Sequence, residues 1–422
     1  LFGTSSLKRT FLNILNISMF RGNYKFWKNV LLRTVPKRTK EQKMEENVKA
    51  VVINKEDLRY NIEKVKEYAE KNLPDDNGKK TKIIAVVKAN GYGLGIEKYS
   101  RFLVDNGIDF LAVATIEEAL KIRQSGITEK DAKILMLSST AIKEDIKTLI
   151  GNDIILTIGS KEAAEAIDKI GQDLNKKIKV HLKIDTGFGR YGFIYSDREE
   201  IIKIIKPLKN IKIEGTFTHF SNSYYDDKYT KIQFDRFIDC IETLKMNEIE
   251  TGMLHVCNTS AFIKFPQMHL NAVRIGSAFT GRISFKNSMG LRKIGYLKAN
   301  VAEIKELPKD FNVGYSNAFK TKSKTKVAII PCGYMDGVNI QTGRDMFRTV
   351  DKIRYIVRDI KDAFKKQQIF VTINGKRCQI LGRVGTYHVT VDISGNDVKI
   401  GDEVIFNANI KHIDSSIRRE WN

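Results

Sequence analysis

The sequence predicts an α/β protein in which an N-terminal TIM-type (β/α)8 barrel is followed by a mostly β C-terminal domain. Eight short apolar segments alternate with segments of helical periodicity between residues 83 and 276, as expected for a barrel of parallel strands. Beyond about residue 295 this alternation ends, and β-type segments follow one another with turn residues between them. The 422 residues provide enough chain for two or three domains.

The predicted barrel strands are short runs rich in β-branched residues, which is typical of strands buried on both faces. They are IIAVVK (83–88), FLAVAT (110–115), ILML (134–137), IILTI (154–158), KVHLKID (179–185), IEGTFTHF (213–220), MLHVCN (253–258) and AVRIG (272–276). Segments of helical periodicity, such as IEEALKIRQSG and KEAAEAIDKIG, lie between them. A doubly wound open sheet is the alternative, but no G-x-G-x-x-G phosphate turn follows the first strand.

The β-type segments of the second domain are LKANVAEIKEL, KVAIIPCG, QIFVTINGKRCQILGRV, YHVTVDI and DEVIFN. Their connections contain NG, SGND and GD, which favour tight turns between strands. The sequence therefore predicts three regions: a basic extension over residues 1–46, a barrel over 47–290 and a β-rich domain over 291–422.

Composition narrows the class of protein. The chain is 42% hydrophobic and 29% charged, and no apolar run approaches the length of a membrane span. Four widely spaced cysteines form no C-x-x-C pair, which indicates reduced thiols in a cytoplasmic protein and argues against a metal site. Of the net charge of +22, residues 1–43 carry +9, and the remaining +13 is spread through mixed-sign stretches; no nucleic-acid-binding motif is present. We therefore expect no nucleic-acid partner.

The first 43 residues form a separate basic segment with ten Lys or Arg and one Glu. Three interpretations remain open: an organelle-targeting presequence, a membrane-surface amphipathic segment, or a stretch outside the functional protein. The chain begins with Leu1, and Met44 opens a stretch that looks like a natural beginning. We take Met44 as the functional start as a hypothesis.

Polar residues gather at the predicted C-terminal ends of the barrel strands, where such barrels carry their chemistry. Lys88 lies there in AVVKANGYGLG, and three glycines leave room for a ligand to approach, although a lysine in this place is often only solvated. The other candidates are Tyr92, Lys183, Asp185, Arg190, Thr218, His219, His255, Asn258, Thr259, Arg274 and Gly276. Together they indicate an anionic, phosphorylated ligand.

These motifs resemble, in order, those of the alanine racemases, which are barrel enzymes that use pyridoxal phosphate (PLP). The matching stretches are AVVKANGYGLG, KIDTGFGRYGF, THFS, HVCNTSAF, AVRIG, VGYSNAF and PCGYMDG, and the resemblance runs from about residue 48 to the end. It implies that Lys88 forms a Schiff base with PLP. The further PLP-binding residues that it implies are Tyr92, His219, Thr259, Arg274, Gly276 and Ser277.

The resemblance also implies two bases, because racemisation needs a proton donor and acceptor on each face of the substrate carbon. Lys88 would serve one face and Tyr315 of the partner subunit the other, so the enzyme would be a homodimer with shared active sites. Arg190 would bind the substrate carboxylate or the cofactor phenolate. Lys183 occupies a place where the family often carries a carbamylated lysine, and an unmodified lysine is equally open.

Two departures from the family pattern bear on specificity. In GRVGTYHV, Thr386 and Tyr387 replace the usual Met and Asp; the backbone of Thr386 keeps its place for the substrate carboxylate. In HIDSSIRREW, Ser415 or Ser416 stands where the family has an entrance tyrosine, whereas Tyr334 keeps the other one. Because the other motifs match the family, we expect an alanine racemase that supplies D-alanine for a bacterial cell wall.

Three alternatives remain. The first is a serine or broad-specificity amino-acid racemase, which the altered entrance residues favour. The second is a non-catalytic PLP-binding protein, against which the retained β domain with Tyr315 argues. The third is a surface-binding protein that uses its basic N-terminus.

Overall fold

The computed structural model describes residues 49–71, 80–283, 288–340, 349–364 and 368–422. The basic extension predicted over residues 1–46, including the hypothetical start at Met44, lies outside the described residues. Strand β1 (Lys49–Ile53) and helix α1 (Lys55–Lys71) open the described chain.

Eight parallel strands close into a barrel, and every one of them overlaps a strand predicted from the sequence. They are β2 (Lys82–Val86), β3 (Phe110–Val113), β4 (Lys133–Ser139), β5 (Ile154–Ile158), β6 (Ile178–Asp185), β8 (Ile211–Phe217), β9 (Met253–His255) and β10 (Ala272–Ile275). Pairing runs in that order, and β10 closes the ring on β2. The two-residue strand β7 (Phe193–Ile194) pairs with the end of β6. The predicted barrel is thus confirmed.

Helices follow the barrel strands and bury one apolar side against them. They are α2 (Ile96–Asp105), α3 (Ile116–Gln124), α4 (Lys143–Gly151), α5 (Lys161–Asp173), α6 (Arg198–Ile205), α7 (Asp227–Met246) and α8 (Thr259–Lys264). Side-chain caps fix several starts: Thr115, Ser160 and Asn258 accept backbone N–H bonds at the beginnings of α3, α5 and α8. These caps determine where each helix leaves the rim of the barrel, next to the candidate site.

Alternate residues of the strands separate two apolar clusters. Ile84 and Val86 of β2 join Phe110, Leu135 and other residues in a small cluster inside the barrel. The intervening residues, such as Ala85, belong to the large core that packs against the helices. The lower barrel is therefore filled with side chains, which leaves the rim for a site.

The C-terminal part forms a nine-stranded sheet in the order β12-β15-β18-β17-β16-β19-β11-β1-β20. Its strands are β11 (Tyr296–Asn300), β12 (Glu303–Leu307), β15 (Thr325–Ile330), β16 (Phe370–Ile373), β17 (Lys376–Leu381), β18 (Val389–Asp392), β19 (Glu403–Phe406) and β20 (Arg418–Trp421); β13 (Asn312–Val313) and β14 (Phe319–Lys320) form a small separate hairpin. The predicted mostly β domain is confirmed.

Two features of this part were not expected from the sequence. Strand β1, placed with the barrel by the sequence, pairs instead with β11 and β20 of the second sheet. Helix α9 (Thr349–Phe364) interrupts the β segments between β15 and β16. Its apolar side chains Val350, Ile353 and Ile360 are exposed.

Global features of the described residues bear on the class of protein. No helix in the described ranges is both long and apolar enough to cross a membrane. Among the same residues, no group of three or more His, Cys, Asp or Glu is placed to hold a metal ion. The four cysteines are buried and unpaired.

Candidate active site

A cavity of about 290 Å³ opens at the C-terminal ends of the barrel strands. Ten residues predicted for the site line it: Lys88, Tyr92, Lys183, Arg190, His219, Asn258, Thr259, Arg274, Gly276 and Ser277. They come from the ends of five barrel strands or the loops that follow them, so the barrel brings together residues that are up to 189 positions apart in the chain. Their individual roles remain predictions.

Lys88 lies directly after β2, in a tight turn whose next residues Ala89, Asn90, Gly91 and Tyr92 all have positive φ. Such a run is strained for residues with a side chain. Glu118 holds the turn, because its Oε1 accepts the Ala89 N–H at 2.6 Å.

Glu118 also joins this turn to the next strand end, since its other carboxylate oxygen accepts the Ala114 N–H at 3.1 Å. Glu118 was not predicted from the sequence, although its place in the first turn of a helix that follows a barrel strand was an available signal. Partial desolvation of the Lys88 amine, which lies in the open cavity, and then the charge of Arg190 lower the pKa of Lys88, whereas the charge of Glu118 opposes this shift. Lys88 therefore has a larger fraction of its amine in the neutral form at a given pH.

Tyr92, Thr259 and Gly276 form a compact cradle on one side of the cavity. A Cβ atom at Gly276 would clash with the Tyr92 hydroxyl, so only glycine fits here. The Gly276 N–H donates to Thr259 Oγ1 at 3.3 Å. Burial raises the pKa of Tyr92 to about 12, so its phenol stays a hydrogen-bond donor at neutral pH. Ser277 follows at the cavity wall.

The Arg274 guanidinium is buried at the floor of the cavity and is held by backbone carbonyls. Its Nη2 donates to the carbonyl oxygen of Thr218 at 2.6 Å and to that of Val256 at 3.1 Å, and its Nη1 donates to that of His255 at 2.6 Å. Burial lowers the pKa of Arg274 to about 10, which leaves it protonated at neutral pH. Arg274 is therefore a fixed, desolvated positive charge.

Two neutral histidines accept hydrogen bonds from this guanidinium. Arg274 Nη2 lies 3.3 Å from His219 Nδ1, and Nη1 lies 2.9 Å from His255 Nδ1. A guanidinium only donates, so each Nδ1 must accept and each ring proton must sit on Nε2. Burial, followed by the charge of Arg274, holds the pKa of both rings well below the usual histidine value.

The histidine chain continues below the cavity into the barrel interior. His255 Nε2 lies 2.8 Å from His181 Nδ1, and burial lowers the pKa of His181 to about 3. His181 lies in the middle of β6 and was not predicted as a site residue from the sequence. A polar residue inside the apolar run KVHLKID was the available signal. This buried chain fixes the orientation of His255 and, through it, of Arg274.

Asp185 organises the loop that carries Arg190. Its two carboxylate oxygens accept four backbone N–H bonds of 2.7–3.0 Å, from residues 187 to 190. Burial opposes ionisation of Asp185, but these donors outweigh it and lower the pKa of the carboxyl. The Arg190 guanidinium lies 4.2 Å from the Phe188 ring centre. Asp185, a candidate from the sequence, thus shapes the loop beside the cavity.

Lys183 lies within the barrel, with only 5% of its surface exposed. Its Nζ is 5.3 Å from the ring centres of both Tyr191 and Phe217. Burial, then the charges of Arg190 and Arg274, lowers the pKa of Lys183 to about 7. Its amine is consequently partly neutral at physiological pH, the form in which an amine can react with carbon dioxide.

The remaining predicted residues lie on the β domain and do not line the cavity of the same chain. Tyr315 is 68% exposed. The Thr386 hydroxyl donates to the Tyr334 hydroxyl oxygen at 3.1 Å, and the Tyr387 ring centre lies 5.8 Å from Lys49 Nζ.

Loop contacts connect these β-domain residues. The Tyr334 N–H donates to the Gly385 carbonyl oxygen at 3.0 Å, and the Met335 N–H donates to that of Thr386 at 3.1 Å. Ser416 is exposed, and its N–H donates to Asp414 Oδ1 at 2.7 Å. A Cβ atom at Gly385 would lie 3.8 Å from Tyr315 Cε2, so Tyr315 borders the same loop. We name Tyr315, Tyr334, Thr386 and Tyr387 the β-domain tyrosine group.

Comparison with known proteins agrees with this architecture. The family model described as "Alanine racemase, N-terminal domain" matches residues 53–283, and the model described as "Alanine racemase, C-terminal domain" matches residues 294–418. The chain is 35% identical over 332 residues to the alanine racemase of Methanococcus maripaludis, covering 77% of this chain and 82% of that protein. It is 36% identical over 331 residues to an alanine racemase of Clostridium perfringens, covering 76% and 78%.

Solved structures give the same result. An alanine racemase from Clostridium difficile 630 superposes with a TM-score of 0.76 and 28% identity, covering 89% of this chain and 96% of that one. The alanine racemase from Bacillus anthracis, solved with bound L-Ala-P, superposes with a TM-score of 0.73 and 26% identity, covering 89% and 95%. Two family matches that span both domains, a shared fold and full-length relatives leave one conclusion: this chain belongs to the alanine racemase family of isomerases.

Proposed function

We propose that this protein is a PLP-dependent alanine racemase that works as a homodimer with two bases, Lys88 and Tyr315 of the partner subunit. The observation that carries the proposal is the rim cavity, in which the Lys88 amine faces the same space as the cradle of Tyr92, Thr259 and Gly276. An amine for a carbonyl group and a cradle of donors for a phosphate are the two halves of a PLP site.

The residues present fit PLP. The hydroxyls of Tyr92 and Thr259 and the backbone of Gly276 and Ser277 would hold the phosphate, since they offer neutral donors on one wall of the cavity, where the absence of a Cβ atom at Gly276 lets the Tyr92 hydroxyl lie against its backbone. Lys88 would bind the aldehyde carbon. Arg274 would face the ring nitrogen, and His219 would lie beside it. The surplus of positive charge around the cavity suits a dianionic phosphate.

Bound PLP supplies the electron sink that makes the α-proton of an amino acid removable. The part of Lys88 is then to take or return that proton at Nζ, which requires a neutral amine. Burial and the nearby Arg190 favour that form by lowering the pKa of Lys88. Arg274 cannot accept a proton, because its guanidinium only donates and its pKa stays near 10. It holds a fixed positive charge while Lys88 acts.

The second base acts on the opposite face of the substrate carbon. Tyr315 does not line the cavity of its own chain, and its ring is exposed. Both facts support a dimer in which each β domain completes the other subunit's cavity. Arg190 would bind the substrate carboxylate, and the backbone of Thr386 would assist it from the partner's side. Localisation in a bacterial cytoplasm and supply of D-alanine to peptidoglycan are part of the proposal.

One observation favours a serine or broad-specificity racemase as the second candidate. The hydroxyls of Thr386 and Tyr334 lie 3.1 Å apart, and Tyr387 beside them is exposed. Together with Ser416, they give the proposed entrance more hydroxyl groups than the family pattern implies. A hydroxyl-bearing substrate would find hydrogen-bond partners there.

Proton NMR in heavy water tests both candidates. The purified protein with PLP receives equimolar L-alanine and L-serine in one tube, and loss of each α-proton signal is followed together with chiral analysis of the products. Faster exchange and inversion of alanine supports the alanine racemase. Faster serine turnover supports the second candidate, and exchange of neither amino acid contradicts both.

A further inference from the structure

One cation beside the cavity has no part in the mechanism described above. Lys411 lies in the short 3-10 turn Ile410–His412 of the β domain. The turn packs closely against the loop after Lys88, since a Cβ atom at Gly93 would clash with the carbonyl oxygen of Ile410. Gly93 has a φ of 89°, which also requires glycine. The backbone of Lys411 is therefore fixed against the barrel within the same chain.

The side chain of Lys411 extends toward the cradle. Its Nζ lies 4.8 Å from the centre of the Tyr92 ring. The hydroxyl of that same ring packs against Gly276, whose N–H bonds to Thr259. The Tyr92 ring thus connects Lys411 with the donors assigned to the phosphate, and Lys411 approaches them from the β-domain side.

The charges around Lys411 are of its own sign. Partial burial of the amine, then Arg282, then Lys88 lower its pKa, and no carboxylate opposes them. Among the described residues, no Asp or Glu forms an ion pair with Lys411. Arg282 points its Nη2 at the carbonyl oxygens of Ile294 and Gly295, so it adds positive charge nearby. Cations collected without counter-ions favour a bound anion.

We propose that the Lys411 ammonium is a ligand of the PLP phosphate and supplies the cationic contact that Tyr92, Thr259 and Gly276 do not. This assignment rests on the proposed PLP-dependent function. The family resemblance did not assign a role to Lys411. A purely structural role, in which Lys411 only covers the Tyr92 ring, is the competing explanation.

The test compares binding of PLP with binding of pyridoxal, which has the same ring and aldehyde without the phosphate. Full-length protein is stripped of PLP, and each compound is titrated back while the visible absorbance band is followed. For Lys411→Met we expect PLP to bind about 10- to 100-fold more weakly, the size of one lost charge-assisted contact. Pyridoxal binding should be unchanged. Lys411→Arg, which keeps the charge, should recover most of the PLP affinity.

Lys293→Met is the matched control, because Lys293 lines the neighbouring surface groove with Lys411, whereas the cation–ring contact with Tyr92 belongs to Lys411. It should bind PLP as the wild type does. Thermal melting of all variants verifies that they are folded. The assignment is overturned if Lys411→Met binds PLP as tightly as the wild type, or if PLP and pyridoxal weaken equally. A wild-type protein that binds no PLP overturns the proposed function itself, and Lys411 with it.

Discussion

At the scale of single residues, the cavity combines many cations with few free anions. Lys88, Lys183, Arg190 and Arg274 all line it. The carboxylate of Asp185 is occupied by four backbone N–H groups, and that of Glu118 holds the turn after Lys88. Carboxylates at the rim therefore fix loops. Positive charge remains uncompensated, which is the condition an anionic cofactor and an anionic substrate require.

Lys183 gives a residue-scale prediction about pH. Its pKa is about 7 in the folded protein, compared with 10.5 for a lysine side chain free in water. Between these values the unfolded chain binds one more proton than the folded protein, so Lys183 makes stability rise with pH. Below pH 7, Lys183 is protonated in both the folded and the unfolded protein, so folding bears the full free-energy cost of burying the charged amine. Above about pH 10.5 both are neutral, and this cost disappears.

Replacing Lys183 by Met should remove this dependence. We expect the stability of Lys183→Met relative to the wild type to be largest at pH 7 and to decline by about 1.4 kcal/mol per pH unit up to pH 9. Urea unfolding in buffers free of carbon dioxide measures it. Lys179→Met is a control, because Lys179 is more exposed and pairs with Glu129. If the free energy of unfolding had the same slope against pH in the wild type and in Lys183→Met, Lys183 would not titrate as a buried amine.

At the scale of elements, the local patterns predicted most of the fold. All eight barrel strands were found from short β-branched runs, because buried parallel strands have a strong local signature. The sheet to which β1 belongs was not predicted, because KAVVI is as apolar as a barrel strand. Its pairing partners lie far away in the chain, in β11 and β20. Pairing between distant segments leaves no local pattern.

Helix α9 was missed for a different reason, because its signal was present. Val350, Ile353, Val357 and Ile360 recur at helical spacing within a region otherwise read as β. In the site, Glu118 and His181 were missed, since both act on backbone or on other side chains and match no motif. The residues that were found lie at strand ends or in family motifs.

The Asp185 loop gives the element-scale prediction. Asp185→Ala leaves four backbone N–H groups of residues 187–190 without their acceptor, so the segment that positions Arg190 should loosen. We expect KM for alanine to rise by about tenfold, the effect of misplacing one charged contact. PLP affinity should be nearly unchanged, because the cradle lies on other elements.

Amide hydrogen exchange of residues 186–191 should accelerate in the same variant. Faster exchange would distinguish a loosened loop from an effect caused only by loss of the Asp185 charge. Asp173→Ala serves as the control, since this exposed carboxylate forms a surface pair with Lys169. Unchanged exchange together with an unchanged KM would mean that the loop does not depend on Asp185.

At the scale of the whole molecule, the proposed site is divided between two surfaces. The cavity belongs to the barrel, whereas the β-domain tyrosine group is exposed on the same chain. Tyr315 in particular is 68% exposed. A second copy of the chain would bring such a group to the cavity, and a dimer is the commonest closed arrangement for soluble proteins.

Tyr315→Phe tests the role of the exposed ring, because it removes only the hydroxyl. In heavy water, we expect exchange of the α-proton from one enantiomer of alanine to slow by about 10²- to 10⁴-fold, the usual contribution of an acid–base group. Exchange from the other enantiomer and the absorbance of bound PLP should persist. Tyr225→Phe is the control, as this tyrosine is also exposed but lies on the barrel. Equal slowing for both enantiomers would argue against a one-sided base.

Mixed dimers test whether the two bases come from different subunits. Lys88→Ala and Tyr315→Phe are each expected to be inactive in racemisation as pure dimers, because every site lacks one base. A dimer with one subunit of each kind has one site that contains both Lys88 and Tyr315 of the partner subunit, and one site that contains neither. Random exchange makes half of all dimers mixed, so activity should return to about one quarter of the wild-type value. Mixing each variant with itself gives the baseline, and light scattering verifies the dimer mass. If both bases came from one chain, no mixed dimer would hold a complete site, and activity would stay at the baseline.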